Sequence, residues 1–483
     1  MNNVSVHINN KTMYPDCPPY SPSEEYPEFI FKREDVVSEN NPVYHAVRDM
    51  LKNLGLDEEN YGTPKWNPFC ELINKGDTVL LKPNFVYHDN AGDPDIQSLV
   101  THGAVIRPII DYVLLSLQGT GKIIIADAPQ ANADFETIVE RNGVKQLVDY
   151  YNSKNVMIEL IDLRKNAYVG GFDTGLRVDL KGDPRGYVLC NLEDKSMLQD
   201  VANLDRLYGA DYDRNFIVKQ HTNGHRYLFS RSVLDADVVI SIPKLKTHRK
   251  AGVTINSKNM VGANGDKNFL AHYRVGSPAD GGDEFADDVG SLGRLHYKWR
   301  RFAMDNILIK NTKLSRYQFL VMNFPFGVLH RLYKIVTKTD YDMGNGDWHG
   351  NDTVWRMCLD LNRILLFADS KGIIHKKPQR KYFCVVDGVV AGEENGPLEP
   401  TPKHAGLIAG GTNPFFVDFV CAHLIGFDPY KIPVINNAMN LDGFCYDEQD
   451  IRAYCENNGA SVDWRSVNLH FKPQANWKGY IER

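Results

Sequence analysis

Short apolar runs rich in β-branched residues punctuate this chain at 77–81, 122–126, 156–162, 235–243, 382–386 and 404–409. Each is too short for a stable helix and stops at a polar, Gly or Pro turn, so each predicts a strand. Between them, apolar positions recur at helical spacing over 43–54, 105–117, 135–151, 348–366 and 415–424, the last opened by Asn413-Pro414. Strands alternating with helices predict βαβ units. The expected fold class is α/β: a mostly parallel sheet with flanking helices and a site at the strand C-terminal ends.

The pattern also divides the chain. Residues 1–65, rich in Pro, Asn, Tyr and acid, predict an extended arm leading into a helix. The α/β core spans 66–433, and 434–483 is a tail of short elements packed on it. Two insertions interrupt the core. Residues 165–232 hold short, polar, Gly-punctuated strands, predicting a small β-rich subdomain. Residues 277–345 change composition. An acidic, Gly-rich stretch at 277–288 predicts a mobile loop. Then 294–338 carries ten Lys/Arg against one acid, Asp305, with Trp299, Phe302, Phe319, Phe324 and Phe326 interleaved. A basic amphipathic stretch suits a lid, an oligomer contact or an anionic membrane surface.

The net charge of −6 argues against a general nucleic-acid partner. No apolar run reaches the length of a membrane span, and Met1 to Pro19 has no basic-then-apolar signal pattern. The expected compartment is the cytoplasm, with peripheral contact to the inner membrane face as the alternative that 294–338 leaves open. A homodimer is the default assembly. The eight cysteines contain no C-x-x-C pair, so neither a zinc ribbon nor an iron–sulfur cluster is expected.

The chemistry concentrates after the run Val238-Val239-Ile240-Ser241-Ile242. Pro243-Lys244-Leu245-Lys246-Thr247-His248 follows directly, then Thr254, Lys258-Asn259, Gly262, Lys267 and His272. Lysines offer cations for an anionic ligand, and histidines exchange protons near neutral pH. Lys82 and Asn84 end another strand in the same way. Lys82, Asn84, Lys244, Lys246, Asn259, Lys267 and Glu393, the last in a Gly-rich loop, are therefore candidate anion contacts. His248, Lys258 and His102 are candidate catalytic groups. His272, with Asp127 and Asp387 at strand ends, forms a candidate set for one divalent ion, nickel or iron. Asp418, inside a helix, is expected to tie a neighbouring loop. No Walker A, G-x-S-x-G, H-E-x-x-H or strand-associated G-x-G-x-x-G motif is present.

The ordered set Leu81-Lys82-Pro83-Asn84, Ile125-Ala126-Asp127-Ala128-Pro129, Pro243 to His248, Val386-Asp387-Gly388-Val389-Val390, Asn395-Gly396-Pro397, Asn413-Pro414, Asp418 and Gly426-Phe427-Asp428-Pro429 resembles the family catalogued as domain of unknown function 362 over about 77–433. Some members of that family carry ferredoxin-like cysteine motifs; this chain has none. The spacing of His248, Lys258 and His272 is more distantly similar to the N-terminal domain of nickel-pincer lactate racemase. That resemblance implies an acid/base role for His248, a cofactor anchor at Lys258 and a nickel ligand at His272. The sequence before Lys258, Thr254-Ile255-Asn256-Ser257, departs from the Gly/Ser-rich racemase pattern. The expectation is an enzyme binding a small carboxylate or phosphate substrate or cofactor in a Lys/His-rich crevice, with histidine proton transfer of the isomerase/racemase type or other acid–base chemistry, with or without a metal. The alternatives are a mononuclear metal or redox protein and a membrane-surface anion binder.

Overall fold

The computed structural model describes residues 3–31, 35–36, 40–170, 175–209, 213–337, 344–441, 443 and 446–483. Eleven strands form one mixed sheet: β1 Val4–Ile8, β2 Thr78–Pro83, β3 Lys122–Asp127, β4 Ile158–Asp162, β5 Val238–Ile242, β6 Lys244–His248, β7 Gly252–Thr254, β8 Lys381–Asn395, β9 Glu399–Gly411, β10 Ala453–Asn457 and β11 Ala460–Val462. Their order is β11-β10-β1-β9-β8-β5-β2-β3-β4, with β6 paired to β8 and β7 to β6. The ladders β4-β3, β3-β2, β2-β5 and β5-β8 are all parallel.

Successive side chains of these strands face opposite sides, and both sides are covered. Val79, Leu81, Ile123 and Ile125 pack with helices α1 Pro42–Asn53, α2 Gly103–Leu117, α3 Phe135–Arg141 and α4 Val144–Ser153. Leu80, Ile124, Val239 and Val386 pack on the other side with Val354–Phe367 and Pro414–Leu424. Burial on both faces explains why the strands read as unbroken apolar runs.

The expected α/β class is what forms, with four differences in detail. The 135–151 helix is two helices, because Gly143 sits at φ +78° between them. The arm contributes a strand, β1, between β9 and β10 rather than lying outside the core. The tail adds β10 and β11 to the same sheet. The acidic stretch at 277–288 is held in place: buried Asp283 accepts from Thr353 Oγ1 at 2.6 Å and from the Asp352 amide at 2.9 Å.

Within 165–232, Asn166–Val169 pairs with Leu176–Asp179 and Tyr187–Asn191 with Arg226–Ser230, and the helix Arg214–Thr222 lies between the second pair. In the basic insertion, α5 Ser291–Asn306 and α6 Lys313–Thr337 form a helical hairpin. Residues 338–343, with Lys338 of the basic run, lie outside the described residues, as do the side chain of Lys334 and Cys445.

Candidate active site

The sheet opens at the C-terminal ends of its parallel strands because β2 stops at Pro83, which lacks an amide donor. β5 carries on past Pro243 as β6, still paired with the long strand β8. The lysine cluster is therefore itself a strand. The period of two places Lys244, Lys246 and His248 on one face of β6 at increasing height. β7 folds back antiparallel and sets Thr254 opposite Lys246. The turn Asn256–Asn259 then delivers Lys258. It is pinned by Asp418, which accepts from the amides of Asn256 and Ser257, each at 2.9 Å, and from Ser257 Oγ at 2.6 Å. Burial raises the Asp418 carboxyl to about 6. Asp418 thus ties the loop, as its position in a helix suggests.

A cavity of about 370 Å³ opens beside these elements. Lys246, His248, Thr254, Lys258, Lys267 and His272 all line it, with Asn84, Asp127 and Asn259 from the neighbouring strand ends. Arg300 and Met304 of α5 form part of its wall, so the basic insertion does lie against the site.

The polar groups of the cavity differ in what they have left to offer. Lys246 Nζ donates to the Leu99 carbonyl at 2.5 Å and Lys267 Nζ to the Ala128 carbonyl at 2.8 Å. Burial, with neighbouring positive charge, pushes Lys246 well below its usual range, and burial brings Lys267 down to about 8. Lys258 has no hydrogen-bond or ion-pair partner among the described residues, and burial lowers it too. Asn84 Oδ1 and Thr254 Oγ1 are buried without a partner among the described residues. Such groups are costly to leave unsatisfied and point to a ligand or water that completes them.

The two histidines present opposite faces. His248 Nδ1 accepts from the amides of Lys250 and Ala251 at 3.0 and 3.3 Å, so the neutral ring carries its proton on Nε2. His272 Nδ1 lies 2.9 Å from the Leu270 carbonyl and must donate to it, leaving a lone pair on Nε2. Neither Nε2 atom has a partner among the described residues. Burial first, and Lys258 next, hold His248 well below its usual range and His272 at about 3, so both rings are neutral at pH 7.

Five of the expected site residues are elsewhere. Lys82 Nζ is spent within the protein, on Asp127 Oδ1 at 2.6 Å, the Pro83 carbonyl at 3.0 Å and Asn259 Oδ1 at 3.3 Å. Lys244, His102 and Asp387 form a separate buried network with Tyr14. Lys244 Nζ donates to Tyr14 OH at 2.7 Å and to Asp387 Oδ2 at 3.1 Å. Tyr14 OH donates to Asp387 Oδ1 at 2.5 Å, and the His102 amide to Oδ2 at 2.9 Å. His102 stacks on Tyr14 and caps α2 through Nδ1, so it is a structural residue rather than a proton donor at the cavity. Glu393 is in β8, not a loop, and accepts from the Lys472 amide.

The expected ion-binding set does not assemble. Both Asp127 oxygens are engaged, by Lys82 and by the Phe85 amide at 2.6 Å, and Asp387 belongs to the Tyr14 network. Among the described residues the one His/Cys/Asp/Glu trio spaced for an ion is His7, Asp49 and Glu456, on β1, α1 and β10. His272 remains as a single ligand. Sequence reading missed Tyr14, an isolated aromatic in the polar arm, and Arg300 as a cavity residue, where only the charge of its insertion gave a signal.

The chain has relatives. A Synechocystis sp. protein described as thylakoid-associated is 37% identical over 53 residues, which is 11% of this chain and 16% of that protein. A Thermotoga maritima crystal structure matches at 10% identity with a TM-score of 0.29, covering 73% of this chain and 53% of the other, too low a score to carry an argument. This chain thus spans less than two thirds of either. The family model described as Domain of unknown function (DUF362) matches residues 79–173 and 192–423. That match covers more than half of the chain, including both strand ends and the whole lysine–histidine segment, and this protein is a member of the DUF362 family.

Proposed function

We propose that this protein is an enzyme that binds a small carboxylate or phosphate in the strand-end cavity and moves a proton with its paired histidines. The observation that carries the reading is Lys258, a half-buried cation without a counter-charge among the described residues, facing a cavity where the Nε2 atoms of two neutral imidazoles and two buried side-chain oxygens also lack partners among them. An anion that also carries a hydrogen-bond donor answers this set: it neutralises Lys258, accepts from Thr254 Oγ1 and His248 Nε2–H, and donates to Asn84 Oδ1 or His272 Nε2.

Binding also changes the chemistry. The positive field of Lys258 depresses both histidines. An anion beside it cancels that field and raises their basicity. The lowering by burial, the larger cause, remains; His272 Nε2, the nitrogen with the free lone pair, is the group placed to accept a proton, while His248 Nε2–H polarises the substrate oxygen on which charge develops. Substrate capture and proton abstraction are coupled through one lysine.

The residues also suit a tethered or metal-bearing group of the kind the lactate racemase resemblance implies. Lys258 has the free amine for a covalent anchor. His272 has a single free lone pair with its other nitrogen fixed by a carbonyl, the usual arrangement of a ligating imidazole. Such a group would supply an electron sink; Lys258 and His272 would then hold it instead of capturing the anion and accepting the proton, which leaves proton transfer to His248. His248 keeps its Nε2 proton and is the acid/base partner, not a ligand.

Titration calorimetry with phosphate and short carboxylates tests the reading. Binding accompanied by net proton uptake, seen as a dependence of the apparent enthalpy on buffer ionisation, is expected at pH 6–7. His272→Asn retains binding and loses deuterium exchange into the bound carboxylate. If none of these anions binds, or if Lys258→Met binds them unchanged, the reading is wrong.

A further inference from the structure

The face of α6 turned away from the body is apolar and uncovered. Tyr317, Val321, Phe324, Val328, Leu332 and Ile335 are all exposed, Phe324 to 71% and Ile335 to 73%. Their spacing of three and four residues sets them in one stripe along the helix. The opposite side of the hairpin is accounted for. Trp299 of α5 stacks on Phe326 at 5.1 Å, and Ala303, Ile307 and Phe319 pack with Tyr168 of the body. A stripe of this size left in water on an isolated chain marks a contact surface.

Charge selects the occupant. Residues 294–338 carry ten Lys/Arg and one acid in a chain of net charge −6. Some of these cations are used internally: Arg301 is paired with Glu284, and Arg300 lines the cavity. Lys298, Lys310, Lys313 and Arg331 are exposed around the hairpin. A second copy of this chain would set like charges against each other. It would also have to pack across Pro325, which interrupts the hydrogen bonds of α6. An anionic bilayer has neither difficulty: it attracts the cations and accepts the apolar stripe at the headgroup boundary. No helix of the described residues is long and apolar enough to cross a membrane, so the helix would lie in the surface.

We infer that the α5–α6 hairpin docks this protein on an anionic lipid surface, with the α6 stripe seated among the acyl chains and the surrounding lysines and arginines on the headgroups. This docking is independent of any ligand in the cavity. It would, however, set one wall of the cavity beside the bilayer, because Arg300 and Met304 belong to the same hairpin.

Flotation of the full chain with phosphatidylcholine vesicles, with and without phosphatidylglycerol, tests it. Binding is expected to the phosphatidylglycerol vesicles at low salt and to weaken as salt rises. Phe324→Asp and Ile335→Asp, both at exposed positions, are each expected to lower partitioning about tenfold while melting temperature and anion binding stay unchanged. Three results overturn the inference: no flotation with either vesicle, equal flotation with both, or flotation unaffected by the two substitutions. Concentration-dependent self-association that the same substitutions abolish, without flotation, would assign the face to a second copy instead.

Discussion

Lys258 is the residue on which the account turns, and its energetics are unusual. A half-buried cation with no partner among the described residues carries a desolvation cost in the fold that holds it. Lys258→Met keeps the stem and removes the charge. We expect it to stabilise the apo protein by about 1 kcal/mol, roughly 2 °C in melting temperature, while anion binding is lost. Thermal unfolding with and without phosphate checks both halves at once. A destabilised variant would mean that the charge is satisfied in the apo protein. Lys258 stands out in the sequence through its spacing from His248 and His272, and the fold places all three on the cavity. The tautomers of His248 and His272 are not legible there, because each depends on backbone groups, those of Lys250, Ala251 and Leu270, whose positions only the fold supplies.

At the scale of elements, the site is held by buried pairs that sequence reading took for ligand contacts. Lys82 and Asp127, side chains 1% and 3% exposed, lock the ends of β2 and β3 to the turn at Asn259. Removing one partner strands the other charge. Asp127→Leu or Lys82→Met alone should cost about 3–5 kcal/mol, whereas the double substitution should recover most of the loss. Urea unfolding of the three variants measures this. Costs that simply add would show that the pair is not coupled. Gly262 belongs to the same joint: a Cβ there would meet Asp127 Oδ1 at 1.9 Å, so Gly262→Ala should destabilise by about 2–4 kcal/mol. The sequence marked Lys82 and Lys244 correctly as residues at strand ends. It gave no sign that each already faces a carboxylate, since Lys82 and Asp127 are 45 residues apart and Lys244 and Asp387 143. The core strands β2, β3 and β5 were readable because burial on both faces leaves a continuous apolar run. The strand β6 was not, because Lys-Leu-Lys-Thr-His is a buried strand only when the protein supplies partners for its charges.

For the whole molecule, the neutral buried histidines set the response to acid. His102 and His272 are held at about 3, chiefly by burial, against 6.5 when unfolded. Below pH 6.5 the unfolded chain therefore takes up protons that the folded chain refuses. Stability is full above pH 6.5 and falls as the pH drops towards 3, by up to about 1.4 kcal/mol per pH unit for each histidine. His102→Asn keeps a capping side chain on α2 and removes one titrating group, so it should flatten the acid limb of stability against pH. An unchanged limb would place the protonation elsewhere. The same scale shows where sequence reading ran out. β1 and β10 are short strands far apart in sequence, and their place in the sheet is set by contacts hundreds of residues apart, as between Val4 and Gly411 and between Val4 and Ala453; only the β10–β11 hairpin is local. Local periodicity carries no record of such contacts.

The proposed function stands on capture of a small anion by Lys258 in the cavity. Isothermal titration of phosphate and a short-carboxylate series into the native protein and Lys258→Met at pH 7 tests it most directly. Saturable binding with proton uptake in the native protein, absent from the variant, is the predicted result. No binding to the native protein, or the same binding in both, would contradict the account.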